Sequence, residues 1–82
     1  MKKFAPGCYA IPVLIGRHVA GRRIRMEMTQ EEVAKKVGIS RQALSMIERG
    51  VNPPRWETIY AIAATLHCET WDLIPTLKQV RE

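Results

Sequence analysis

The chain has 82 residues, with 13 Lys and Arg against 8 Asp and Glu, a net charge of +5, 46% apolar and only 6% aromatic residues. This composition describes one small basic domain that is neither fibrous nor disordered. A chain this short buries about 60% of its unfolded surface, so its core is thin, and the enclosed substrate pocket of an independent enzyme is disfavoured against a partner-binding module or a small dimer.

Residues 1–11, broken by Pro6 and Gly7, read as an irregular N-terminal arm. Lys2 and Lys3 followed by Phe4 to Ile15 faintly imitate a secretion signal, but Pro6, Gly7 and Pro12 interrupt the run and no small-residue cleavage site follows. No apolar stretch is long enough to span a bilayer, so a cytoplasmic protein without membrane contact is expected. Pro12 fits the first turn of a helix reaching about Met26, with Ile15, Val19 and Ile24 as its inner face. Thr29-Gln30-Glu31-Glu32 is a capping box that opens a second helix, in which Val33, Ala34 and Val37 form the apolar stripe. Gly38 stands where the chain must leave that helix through a left-handed conformation. Ser40 caps a third helix, whose Leu44 and Ile47 face inward and which Gly50 stops. Beyond the loop 51–54, Trp56, Ile59, Tyr60, Ile62, Ala63 and Leu66 recur at helical spacing and make a fourth helix, the expected hub of the core. A last short helix from about Thr70 carries Trp71, Leu73, Ile74 and Leu77, with Pro75 ending or bending it. The expected architecture is all-α, a compact five-helix bundle over residues 12–77, with residues 78–82 as a C-terminal tail.

Charge is unevenly placed along this scheme. Residues 1–28 carry a net +5, residues 29–55 a net +2 and residues 56–82 a net −2. A basic front and an acidic back suit a polyanion bound on one side. Cys8 and Cys68 lie far apart with no second Cys near either, which signals neither a disulfide framework nor a zinc cage. His18 and His67 lack paired ligand spacing, so no metal and no cofactor are expected.

Two short helices joined by a Gly-containing turn, the second with a polar outer face and a basic flank, form a helix-turn-helix arrangement suited to the major groove. The stretch from Ile15 to Ile74 closely resembles the Cro, phage-repressor and XRE family of DNA-binding proteins. The resemblance is carried by Thr29-Gln30-Glu31-Glu32-Val33-Ala34, Gly38-Ile39-Ser40, Ile47-Glu48-Arg49-Gly50 and the helix from Pro54 to Leu66. It implies a lambda-repressor-like DNA-binding domain that uses no cofactor and performs no catalysis. At 100° per residue, Gln42, Ser45, Met46 and Arg49 fall opposite the inward Leu44 and Ile47. Arg41 projects from the first turn, and Arg bonds guanine bidentately as Gln does adenine, which makes Arg41 and Gln42 the candidate base readers, with Ser45 and Met46 beside them.

The resemblance places backbone contacts at the start of the second helix, Thr29 and Gln30, with Arg49 and Arg55 as further cations at the DNA edge. It also pairs Arg23 with Glu48 as a structural ion pair. Three positions depart from the family pattern: Glu27 replaces a common turn glycine, Arg22 replaces an apolar residue and Arg55 replaces a small cap. The excess of apolar residues at the C-terminal end points to a dimer surface formed by Trp71, Leu77 and Val80, with the arm residues Phe4, Tyr9 and Ile11 as a rival surface. The expected function is a sequence-specific transcriptional regulator, a repressor or autoregulator, that binds a palindromic operator in double-stranded DNA as a homodimer. The competing reading is an antitoxin-type interaction module that covers a partner protein, a toxin or another regulator.

Overall fold

Capping chemistry sets the helix boundaries in the computed structural model, which describes residues 11–74. Five helices follow in order: α1 Ile11–Arg25, α2 Gln30–Val37, α3 Arg41–Glu48, α4 Trp56–Thr65 and α5 Thr70–Leu73. At the start of α2 the Glu32 amide donates to the Thr29 hydroxyl at 3.0 Å while the Thr29 amide donates to the Glu32 carboxylate at 2.8 Å, so both ends of the capping box are made. Gly38 closes α2 at φ 94°, with its own amide and that of Ile39 both donating to the Ala34 carbonyl. The Ala43 amide donates to the Ser40 hydroxyl at 2.9 Å and opens α3 only three residues later. The shortness of this turn holds α2 and α3 in a fixed relative orientation.

Helix α1 packs on α3 and α5, α2 on α3 and α4, and α4 on α5. The core between them comprises Ile15, Val19, Val33, Ala34, Leu44, Ile47, Ile59, Ile62, Ala63, Leu66 and Leu73. Among the described residues no buried side-chain nitrogen or oxygen lacks a hydrogen-bond partner.

Several apolar residues expected in the core lie elsewhere. Ile24 is 62% exposed, because the inner face of α1 is confined to Ile15, Gly16 and Val19 and the helix ends at Arg25. Trp56 and Tyr60, at 61% and 67%, lie on the flank of the stripe formed by Ile59, Ile62 and Ala63, so α4 is the core's hub through its aliphatic residues alone. Helix α5 stops at Leu73 and Ile74 is extended, as the residue before Pro75 is driven out of the α region. Glu27 adopts φ 58°. The turn does require a left-handed residue there, and Glu bears that conformation at about 1 kcal/mol. Leu77, Val80, Lys2, Lys3, Phe4, Cys8 and Tyr9 lie outside the described residues.

Gly16 has a role that periodicity does not reveal. A β-carbon there would lie 2.5 Å from the Glu48 carbonyl oxygen and closer still to that of Ile47, so only glycine lets α1 cross the end of α3 at this separation. The obstacle is backbone on both sides and has no rotamer to yield. Gly16→Ala is expected to destabilise the domain by about 3 kcal/mol, read as a fall in the urea midpoint. An unchanged midpoint would mean that the two helices separate at no cost.

Candidate nucleic-acid interface

The first turn of α3 is presented outward by Ser40 and its cap, which leaves Arg41 and Gln42 exposed next to each other. Behind them Ser45 and Met46 are half-buried, one turn further along the same side, while Leu44 and Ile47 anchor the opposite face in the core. Arg49, the C-cap of α3, is exposed. Arg55, the N-cap of α4, is also exposed and makes no side-chain capping bond. A small capping residue would have spent its side chain on the helix; Arg55 keeps its guanidinium outward. Thr29 is exposed, with its hydroxyl oxygen accepting the Glu32 amide, so its proton remains available to a phosphate.

Helix α3 contains one carboxylate, Glu48, and the fold removes it from this surface. Its side chain is 6% exposed and that of Arg23 15%. Arg23 Nε donates to Glu48 Oε2 at 2.7 Å and Nη2 donates to Oε1 at 3.1 Å, a two-toothed pair. The same guanidinium donates through Nη1 to the Met28 carbonyl at 2.8 Å, which ties α1, the α1–α2 turn and the end of α3 together. The outer face of α3 therefore carries Arg41 and Arg49 without an opposing negative charge of its own, as a surface facing phosphates requires.

Gln30 is more engaged than a phosphate contact alone would need. Its Nε2 donates to Glu48 Oε1 at 2.9 Å, and its Oε1 accepts from Arg41 Nη1 at 3.4 Å. The second Nε2 proton is not used by these bonds and can donate to a further acceptor. The structure thus brings Arg23, Glu48, Gln30 and Arg41 into one connected set. Sequence reasoning had placed Gln30 and Arg41 separately, and no local signal links positions 18 or 11 residues apart.

Between α4 and α5 lies a groove of about 330 Å³ lined by Trp56, Tyr60, Ala63, Ala64, Cys68, Glu69, Thr70 and Trp71. Trp71 is 68% exposed. Desolvation pushes the Cys68 thiol up from its ordinary value against the opposing pull of Arg22, so at neutral pH it is a protonated thiol rather than a nucleophile. Among the described residues no group of three or more His, Cys, Asp or Glu is placed to hold a metal ion, and no helix is long and apolar enough to cross a membrane.

A family model described as helix-turn-helix matches residues 20–70. An uncharacterised HTH-type transcriptional regulator of Archaeoglobus fulgidus is 39% identical over 51 residues, which span 62% of this chain and 73% of that one. The c2 repressor of Salmonella phage P22, solved in complex with a synthetic operator, matches with a TM-score of 0.70 at 32% identity, over 73% of this chain and 91% of that one. The restriction-modification controller protein C.AhdI from Aeromonas hydrophila matches with a TM-score of 0.73 at 26% identity, over 76% and 94%.

Proposed function

The chain belongs to the helix-turn-helix family, XRE type, as a transcriptional regulator and not an enzyme, and we propose that it binds a palindromic operator as a homodimer and represses by occupying promoter DNA, its own included. The observation that carries this reading is the first turn of α3, where Arg41 and Gln42 stand exposed on a capped helix whose one carboxylate is turned inward. Arg41 and Gln42 read base edges, with Ser45 and Met46 at the margin of the same face. Thr29, Gln30, Arg49 and Arg55 hold the phosphate backbone and set the register. The phage repressor solved on an operator is the relative that favours this geometry.

Selection of bound duplexes from a random pool is the decisive experiment. A palindromic winner with half-sites one helical turn apart is expected. Recovery of unrelated sequences would reject operator reading, and failure to retain any duplex at low salt would reject DNA binding itself.

The dimer is proposed to form through the surface around Trp71, joined by Leu77 and Val80. The support is the exposed aromatic lining of the α4–α5 groove, with Trp56, Tyr60 and Trp71 all more than half exposed in one small domain. Contact on this side leaves α3 of each protomer free, about 34 Å apart for successive major grooves. Trp71→Asp in the full chain is expected to shift sedimentation from dimer to monomer. It should also weaken operator binding at least tenfold, since two half-sites then bind independently. A wild-type monomer, with and without DNA, would end the dimer proposal.

A further inference from the structure

We infer that Glu48, which points away from the DNA-facing surface, determines base specificity by positioning the Arg41 guanidinium through Gln30. The inference rests on the operator-binding reading above. It begins with the carboxylate. Arg23 grips Glu48 through both Nε and Nη2, at 2.7 and 3.1 Å, and so fixes the carboxylate plane. Oε1 also accepts from Gln30 Nε2 at 2.9 Å.

A carboxylate only accepts, whereas the two ends of a primary amide differ, one donating and the other accepting. Glu48 therefore allows one orientation of the Gln30 amide: nitrogen toward Glu48, oxygen away. The oxygen then points to the first turn of α3, where Arg41 Nη1 lies at 3.4 Å. The inverted amide would set N–H groups against both a guanidinium and the space it occupies, and would set its oxygen against the carboxylate. The charge on Glu48, placed at the last residue of α3, is thereby converted into an acceptor facing the first residue of the same helix.

For Arg41 the consequence is an ordering of its side chain before DNA arrives. The bond to Gln30 uses one of five guanidinium donors and leaves Nη2 and Nε for a bidentate contact with a base edge. An exposed arginine held at one donor loses less rotational freedom on binding than a free one, and it approaches the groove from one side. Glu48 is thus a positioning residue, distinct from the base readers and from the phosphate contacts. Because the final link is a single exposed bond at 3.4 Å, the expected effect on specificity is modest, about two- to fivefold, at most the lower limit of what one bidentate base contact supplies.

The test uses the full-length protein, its selected operator, and the same operator changed at the base pair whose preference Arg41→Ala weakens most without abolishing it. Affinities for both duplexes are measured for wild type, Glu48→Gln, Arg41→Ala and the double variant, well below the melting temperature of each. Glu48→Gln keeps the side-chain shape but offers Gln30 either a donor or an acceptor, so the amide loses its fixed polarity. The ratio of the two affinities should fall about two- to fivefold in Glu48→Gln and show no further fall when Glu48→Gln is added to Arg41→Ala. A merely structural Glu48 would lower both affinities alike and leave the ratio unchanged, which would overturn the inference. So would a fall that adds to that of Arg41→Ala.

If Arg41→Ala leaves every base preference intact, the base-reading assignment itself is wrong, and the positioning role falls with it. A weakened preference in Arg41→Ala with an intact one in Glu48→Gln rejects the positioning role alone. As a second readout, nitrogen NMR of the free protein should show slowed rotation of the Arg41 guanidinium in wild type and faster rotation in Glu48→Gln, with Arg55 unchanged in both. Equal Arg41 rotation in the two proteins would overturn the inference without reference to DNA.

Discussion

Glu48→Ala is expected to cost the domain about 3 kcal/mol, because it leaves the Arg23 guanidinium nearly buried with its principal partner gone. An exposed pair would cost under about 1 kcal/mol. The geometry decides between these values: the two side chains are 15% and 6% exposed and meet through two hydrogen bonds, one of them at 2.7 Å. For a domain of this size, a loss of about 3 kcal/mol lowers the melting temperature by roughly 12–24 °C. DNA affinity should fall with it, since the end of α3 is joined to α1 through this pair and through the close crossing at Gly16. Replacing both partners with Met removes the stranded charge and should recover part of the stability, while the orientation of Gln30 stays lost. Thermal denaturation followed by circular dichroism makes the comparison. An unchanged melting temperature for Glu48→Ala would reduce the pair to an ordinary surface contact.

The parts of the fold that could be read from the sequence are those whose cause is local. The capping box at Thr29 and Glu32, the left-handed Gly38 and the cap at Ser40 each depend on residues within four positions, and each is present in the structure. Stripes of aliphatic residues identified the core faces of α2, α3 and α4 for the same reason. Ile24, Trp56 and Tyr60 were misplaced because identity says that a side chain is apolar but not which side of a helix meets a neighbour. The role of Gly16 depends on the backbone of α3, more than 30 residues away, and nothing around Gly16 announces it. At the candidate interface, residue type and helical angle single out Arg41 and Gln42, and the structure leaves both exposed. The bonds that tie Gln30 to Glu48 and Arg41 arise only once three helix ends have been brought together. Tertiary geometry, rather than any motif, makes this set.

Arg41→Ala and Arg55→Ala should weaken DNA binding in two different ways, and the difference tests how the surface divides its work. Arg41 lies on the exposed first turn of the helix expected in the major groove, where a bidentate contact is worth about 1–3 kcal/mol against the wrong base pair. Its removal should relax preference at one base pair by roughly 5- to 150-fold and leave the others as they were. Gln42→Ala should do the same at a neighbouring pair. Arg55 is exposed at the entrance to α4 with no capping bond to hold it inward, which suits it to the phosphate contact proposed for it. Arg55→Ala should lower affinity for every duplex by a similar factor and reduce the slope of log affinity against log salt by about 1. Titrations of operator and scrambled duplex across a salt series read both quantities in one experiment. Equal loss on both duplexes from all three substitutions, with the same change of slope, would mean that α3 contributes charge but no sequence reading, and the base-reading surface would then have to be sought outside the first turn of α3.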